Sequence, residues 1–129
     1  MKELELNRET VQFLIDKAHE FHEREEVTFP DEPENPNEDL ALQMSEDFSD
    51  DPYYGEIKST VEDLEPDQQI TLVALMWVGR GDYSLGEWAD ALAHAQDSWN
   101  THTADYLIGT SLVADYLTEG LSLFDGQSE

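Results

Sequence analysis

The chain contains no cysteine. That absence excludes disulfides, thiolate nucleophiles, Cys-ligated zinc and iron–sulfur clusters. Basic residues are scarce too. Six Lys and Arg face 31 Asp and Glu, for a net charge of −25 over 129 residues. A surface of that sign repels DNA, RNA and anionic membranes, so no direct nucleic-acid or membrane contact is expected. Long hydrophobic runs are missing as well. The longest, Leu72 to Val78, falls far short of the roughly 20 residues that a spanning helix needs. The opening Met-Lys-Glu-Leu-Glu has no apolar signal core, and these features together predict a cytoplasmic protein.

What is present suffices for one domain over residues 1–129. The hydrophobic fraction is 39%, with three Trp, five Tyr and five Phe, which is not the composition of a disordered chain. The acid is uneven: residues 1–67 hold 22 acidic and five basic side chains, the remainder nine and one. The first half therefore reads as an acidic sleeve and the second as the denser core. Such charge serves solubility or a salty milieu, or attracts a basic protein surface, or imitates a nucleic acid.

Periodicity predicts an all-α bundle of five or six helices. Residues 7–24 place Val11, Leu14, Ile15, Ala18 and Phe21 on one face behind an Asn7 cap. Three prolines make 25–37 an extended connector, and Leu40, Met44 and Phe48 suggest a short helix over 38–48. Asp51-Pro52 opens a helix with Tyr54, Ile57, Val61 and Leu64 on its face. The helix over 67–78 is apolar on nearly every side and should be central, packed by helices 52–64, 85–99 and 110–122, with the first helix outside. The Gly79-Arg80-Gly81-Asp82-Tyr83 segment is expected to stop it, because glycine can take positive φ just past a helix end. Ser84 and Glu87 form a capping box for the next helix, whose face is Leu85, Trp88, Ala89, Leu92 and Ala95. A short helix reaches Gly109. The last presents Leu112, Val113, Tyr116, Leu117 and Leu121, and 123–129 should be a frayed tail. Ala-Asp-Tyr-Leu occurs twice, at 104–107 and 114–117, which is not a repeat architecture.

Several constellations invite chemistry. His19, His22, Glu23 and Glu26 share one helix edge, but two histidines three apart miss the zincin spacing, so a solvated helix end is the better reading. His94 and His102 flank a helix end without a nucleophile or acid at a defining spacing. Residues 76–87 fail as a calcium loop, because Met76, Val78 and Arg80 would occupy ligand positions. Gly79-Arg80-Gly81 is no phosphate loop, and Arg80-Gly81-Asp82 in this chain is a coincidental integrin tripeptide. No metal or cofactor is expected. The segment stands out because Arg80 is the only basic residue after Lys58. The structural expectation is a clasp. Gly79 and Gly81 reverse the chain, Tyr83 packs beside Trp77 or Trp88, and Arg80 pairs with Asp82 or Asp115. The functional alternative is an anion or partner contact.

The blocks Leu72-Val73-Ala74-Leu75-Met76-Trp77-Val78-Gly79-Arg80-Gly81-Asp82-Tyr83 and Tyr106 to Leu121 resemble the bacterial domain-of-unknown-function 3775 family and its Gly-Asp-Tyr motif. The likeness spans about residues 51–121; many relatives have Pro where Ser111 stands here. The resemblance implies a helical bacterial domain and no particular activity. The functional expectation is a non-enzymatic interaction or regulatory module, with a basic-surfaced protein as partner and a homodimer as the other arrangement. The alternatives are an enzyme with a carboxylate–His site and an acidic nucleic-acid mimic.

Overall fold

The computed structural model describes residues 6–25, 50–100, 102–110 and 112–125, and all regular structure among them is helical. The order is α1 (Arg8–Glu25), α2 (Pro52–Asp63), α3 (Pro66–Arg80), a 3-10 turn (Leu85–Glu87), α4 (Trp88–Ser98), α5 (Thr103–Gly109) and α6 (Val113–Asp125). The expected connector beyond Glu25 and the expected helix over 38–48 lie outside the described residues, as do 126–129.

Each start has a chemical reason. Asn7 Oδ1 accepts the Glu9 N–H at 2.8 Å, and Asp51 Oδ1 accepts those of Tyr53 and Tyr54 at 2.8 and 3.2 Å. Pro66 sits in the first turn of α3, where its missing N–H costs nothing, and Glu65 N–H donates to Gln68 Oε1 at 3.2 Å. The Ser84–Glu87 capping box forms, with Ser84 N–H on Glu87 Oε1 at 2.9 Å, but its first turn is 3-10 and the α-helix starts at Trp88.

α3 is the central element: Leu72 through Val78 are buried without a break. It packs chiefly on α6 and α4, while α1 packs on α2 and α6, and α2 on α5. The 52–64 helix, expected against the central one, packs chiefly on α1 and α5 instead, and the first helix joins the bundle through α2 and α6. Val11, Leu14, Ile15, Ala18 and Phe21 are all buried, as their spacing predicts. Two more boundaries move. α3 continues through Gly79 to Arg80, and Gly81 closes it in a left-handed conformation at φ 97°, its N–H and that of Asp82 both reaching Trp77 O. α6 runs to Asp125 because Phe124 is buried edge-on against Trp88, with ring centroids 4.9 Å apart. On α4 the inward small residues are Ala91 and Ala95, and Ala89 faces solvent.

Gly79 has a different task from the expected one. A Cβ there would lie 1.7 Å from Tyr116 O, and one at Gly120 would lie 2.7 Å from Leu75 O. The two glycines let the α3 and α6 backbones nearly touch.

One buried polar side chain ties three elements together. Gln69 donates to Val61 O and Leu64 O, both at 3.0 Å, and accepts from Trp99 Nε1 at 2.8 Å. It thereby gives Val61 O a second donor beside the Leu64 N–H, supplies one to Leu64 O at the end of α2, and fixes the end of α4.

Candidate functional site

The end of α3 and the loop after it gather most of the candidate residues. Trp77 is buried, and its indole N–H donates to Tyr106 Oη of α5 at 2.7 Å. Its ring stacks on His94 of α4 with centroids 4.6 Å apart, and on Tyr83 at 6.2 Å. Tyr83 Oη is hydrogen-bonded to His94 Nδ1 at 2.8 Å. Burial pushes the Tyr106 phenol above its ordinary pKa, opposed by the Trp77 hydrogen bond and by Arg80.

Arg80 makes the pair that its isolation suggests. Its Nη2 lies 2.6 Å and its Nε 2.7 Å from Asp82 Oδ2, so two N–H groups converge on one oxygen. The pair is half open, with side-chain exposures of 16% for Arg80 and 43% for Asp82. Asp115 is exposed on α6 and is not the partner. Trp88 packs on Phe124, and Tyr83 lies beside Trp77. Trp77, Arg80, Asp82 and Tyr83 thus form one cluster around the Gly81 turn, Gly79 belongs to the helix crossing, and Trp88 and Asp115 lie elsewhere.

A second polar cluster carries no motif in the sequence. Asp105 of α5 is 3% exposed. Tyr54 Oη donates to its Oδ1 at 2.5 Å, and Lys58 Nζ lies 3.5 Å from its Oδ2 and 3.3 Å from Tyr54 Oη. Partial burial pulls the Lys58 ammonium down. The Tyr54 hydrogen bond and the Asp105 carboxylate outweigh it and hold its pKa above the ordinary value. The i, i+4 spacing of Tyr54 and Lys58 on α2 is visible in the sequence; the buried acid that they meet is not.

Neither cluster lines the two hollows that stand out among the described residues. An internal cavity between Leu14, Ile57, Leu72, Leu107 and Leu117 is wholly apolar. An open groove along Phe13, Gly55, Ser59 and Thr60 carries one carboxylate, Glu56, which Lys17 engages at 3.3 Å. Among the described residues no three His, Asp or Glu side chains converge as a metal site requires. Of the expected His19–Glu26 edge, the side chains of His22, Glu23 and Glu26 lie outside the description, and His19 is exposed. No described helix is long and apolar enough to cross a membrane.

The fold is an all-α bundle, and the Gly-Arg-Gly-Asp-Tyr loop lies at the junction of α3 with the 3-10 turn before α4. The model of the protein family of unknown function DUF3775 matches residues 54–125, which is α2 through the end of α6, and the chain belongs to that family. No curated protein and no solved structure matches the chain.

Proposed function

We propose that this domain is a non-enzymatic interaction module that recognises a protein with a basic surface. The observation that supports this reading is where the few cations go. Lys17 pairs with Glu56, Lys58 with Asp105 and Arg80 with Asp82. These three cations are each engaged by an acid, while acids such as Glu9, Asp16, Glu62, Asp63, Asp97 and Glu119 face solvent. A surface of this kind accelerates encounter with a cationic partner and rejects anionic ones. In the same reading the Gly-Arg-Gly-Asp-Tyr segment is a structural clasp, with Arg80 and Asp82 closing the turn and Tyr83 and His94 covering Trp77.

Affinity capture from the native cell, followed by titration of each captured protein in purified form, tests the proposal. The expected partner has a basic face, and its affinity falls steeply as sodium chloride rises, because salt screens the attraction. An acidic partner, or affinity indifferent to salt, would refute the reading.

A further inference from the structure

Among the described residues, three large hydrophobic side chains are exposed: Phe13, Leu112 and Leu123. Two of them belong to one helix. Leu112 precedes α6, and its carbonyl accepts the Tyr116 N–H at 2.9 Å, so it is already in helical register. At about 100° per residue, Leu112, Tyr116 and Leu123 fall within about 40° of one another and span about 16 Å of axis. Leu112 is 47% and Leu123 38% exposed, and Tyr116 is half-buried between them. The adjacent face of the helix, about 100° round, carries the buried Val113, Leu117 and Phe124. The stripe is thus a shoulder beside the core face. Its footing is rigid, because the Tyr116 backbone is pressed against Gly79.

The charge beside this shoulder is of one sign. Asp115 and Glu119 are exposed on its outer edge, and α6 contains no Lys or Arg. Arg80, next in the chain to Gly79, is already engaged by Asp82. A partner matching both properties needs apolar side chains at helical spacing flanked by cations. A second copy of this chain fails the charge test. A two-fold contact through the stripe would set Asp115 and Glu119 against their own copies, in a molecule of charge −25.

We infer that the α6 shoulder of Leu112, Tyr116 and Leu123 docks an amphipathic, Lys- or Arg-rich helix of a partner protein. This rests on the interaction reading above and names its surface. The leucines give the contact its register, and the acidic edge favours cationic helices and repels acidic ones.

The test uses the full chain and two labelled 14-residue peptides of identical Leu and Lys content. One has its leucines at helical spacing; in the other they are scrambled. Fluorescence anisotropy at physiological salt should show the amphipathic peptide binding at least tenfold more tightly. Leu112→Ser with Leu123→Ser should abolish that preference, whereas Phe13→Ser should keep it. The leucines and Phe13 are still about half covered, so each variant is read by the ratio of its affinities for the two peptides, which a modest loss of stability leaves unchanged. Asp115→Asn with Glu119→Gln, which spares the stripe, should weaken binding of the amphipathic peptide. Equal binding of the two peptides by the wild type would overturn the shoulder as a docking site while leaving a basic partner in place. Absence of salt-sensitive binding to either peptide would sink the underlying reading as well. A concentration-dependent dimer that the leucine double variant loses would assign the surface to a second copy and overturn the inference.

Discussion

The sharpest consequence of the structure is that one substitution, glycine to alanine, should have opposite effects at different positions. At Gly79 the new methyl group would sit 1.7 Å from Tyr116 O and 2.9 Å from Gly120 N, all backbone. That is about half an ordinary contact distance, so α3 and α6 must separate by about 1.5–2 Å. Overpacking costs about 1–3 kcal/mol, sometimes more, and better helix propensity returns at most about 1 kcal/mol. A backbone clash this close takes the upper end, so the net loss expected for Gly79→Ala is about 2 kcal/mol or more, a large share of the roughly 5–15 kcal/mol typical of a domain. Gly120→Ala meets Leu75 O at 2.7 Å, but its other close neighbours are Leu75 side-chain atoms that can shift. It should cost less, about 1–2 kcal/mol. Gly81→Ala meets no atoms within 4 Å but must hold φ 97°, at about 1–2 kcal/mol. Gly55, exposed within α2 with nothing within 4 Å, should gain up to about 1 kcal/mol as alanine. Urea unfolding followed by circular dichroism ranks the four. If Gly79→Ala proved as stable as Gly55→Ala, the close crossing of α3 and α6 would be wrong.

Three further outcomes follow from the packing and the charge. Gln69→Leu strips partners from Val61 O, Leu64 O and the Trp99 indole at once and should lower stability by about 2–4 kcal/mol, read by thermal melting. Lys58 has a raised pKa in the fold, so its contribution is complete below the ordinary lysine value and is lost as pH rises through the folded one. The stability gap between wild type and Lys58→Met, measured by urea unfolding, should hold steady from about pH 6 to about pH 9 and shrink above about pH 10.5. Finally, self-repulsion at −25 predicts a melting temperature that climbs with sodium chloride, and a flat curve would show the charges harmlessly spread.

Periodicity was a reliable guide wherever burial follows one helix face. The five apolar positions of α1, the unbroken apolar run of α3 and the Ser84–Glu87 cap all read directly from spacing. What spacing does not reveal is how two distant segments meet. Gly79 reads as a helix stop because glycine commonly ends helices; its real constraint comes from Tyr116 and Gly120, far along the chain. The two Ala-Asp-Tyr-Leu copies make the same point. In the first, Asp105 and Tyr106 are buried, bound to Tyr54 and Trp77; in the second, Asp115 is exposed and Tyr116 half-buried. Identical local sequence leads to opposite environments because the partner helices differ. Arg80 was legible as a residue needing an acid, and local geometry selected the one two positions away. The Tyr54–Lys58–Asp105 cluster was invisible because its members are ordinary residues until α2 and α5 pack.

The central claim, as proposed above, is that the Gly-Arg-Gly-Asp-Tyr loop is a structural turn that closes α3 while the acidic exterior meets the partner. Arg80→Ala, taken through urea unfolding and partner capture side by side, tests it most directly. The half-open Arg80–Asp82 pair should be worth about 1 kcal/mol, so the variant should unfold at lower urea and still capture its partner. Unchanged stability with capture abolished would contradict the account and make the loop the contact itself.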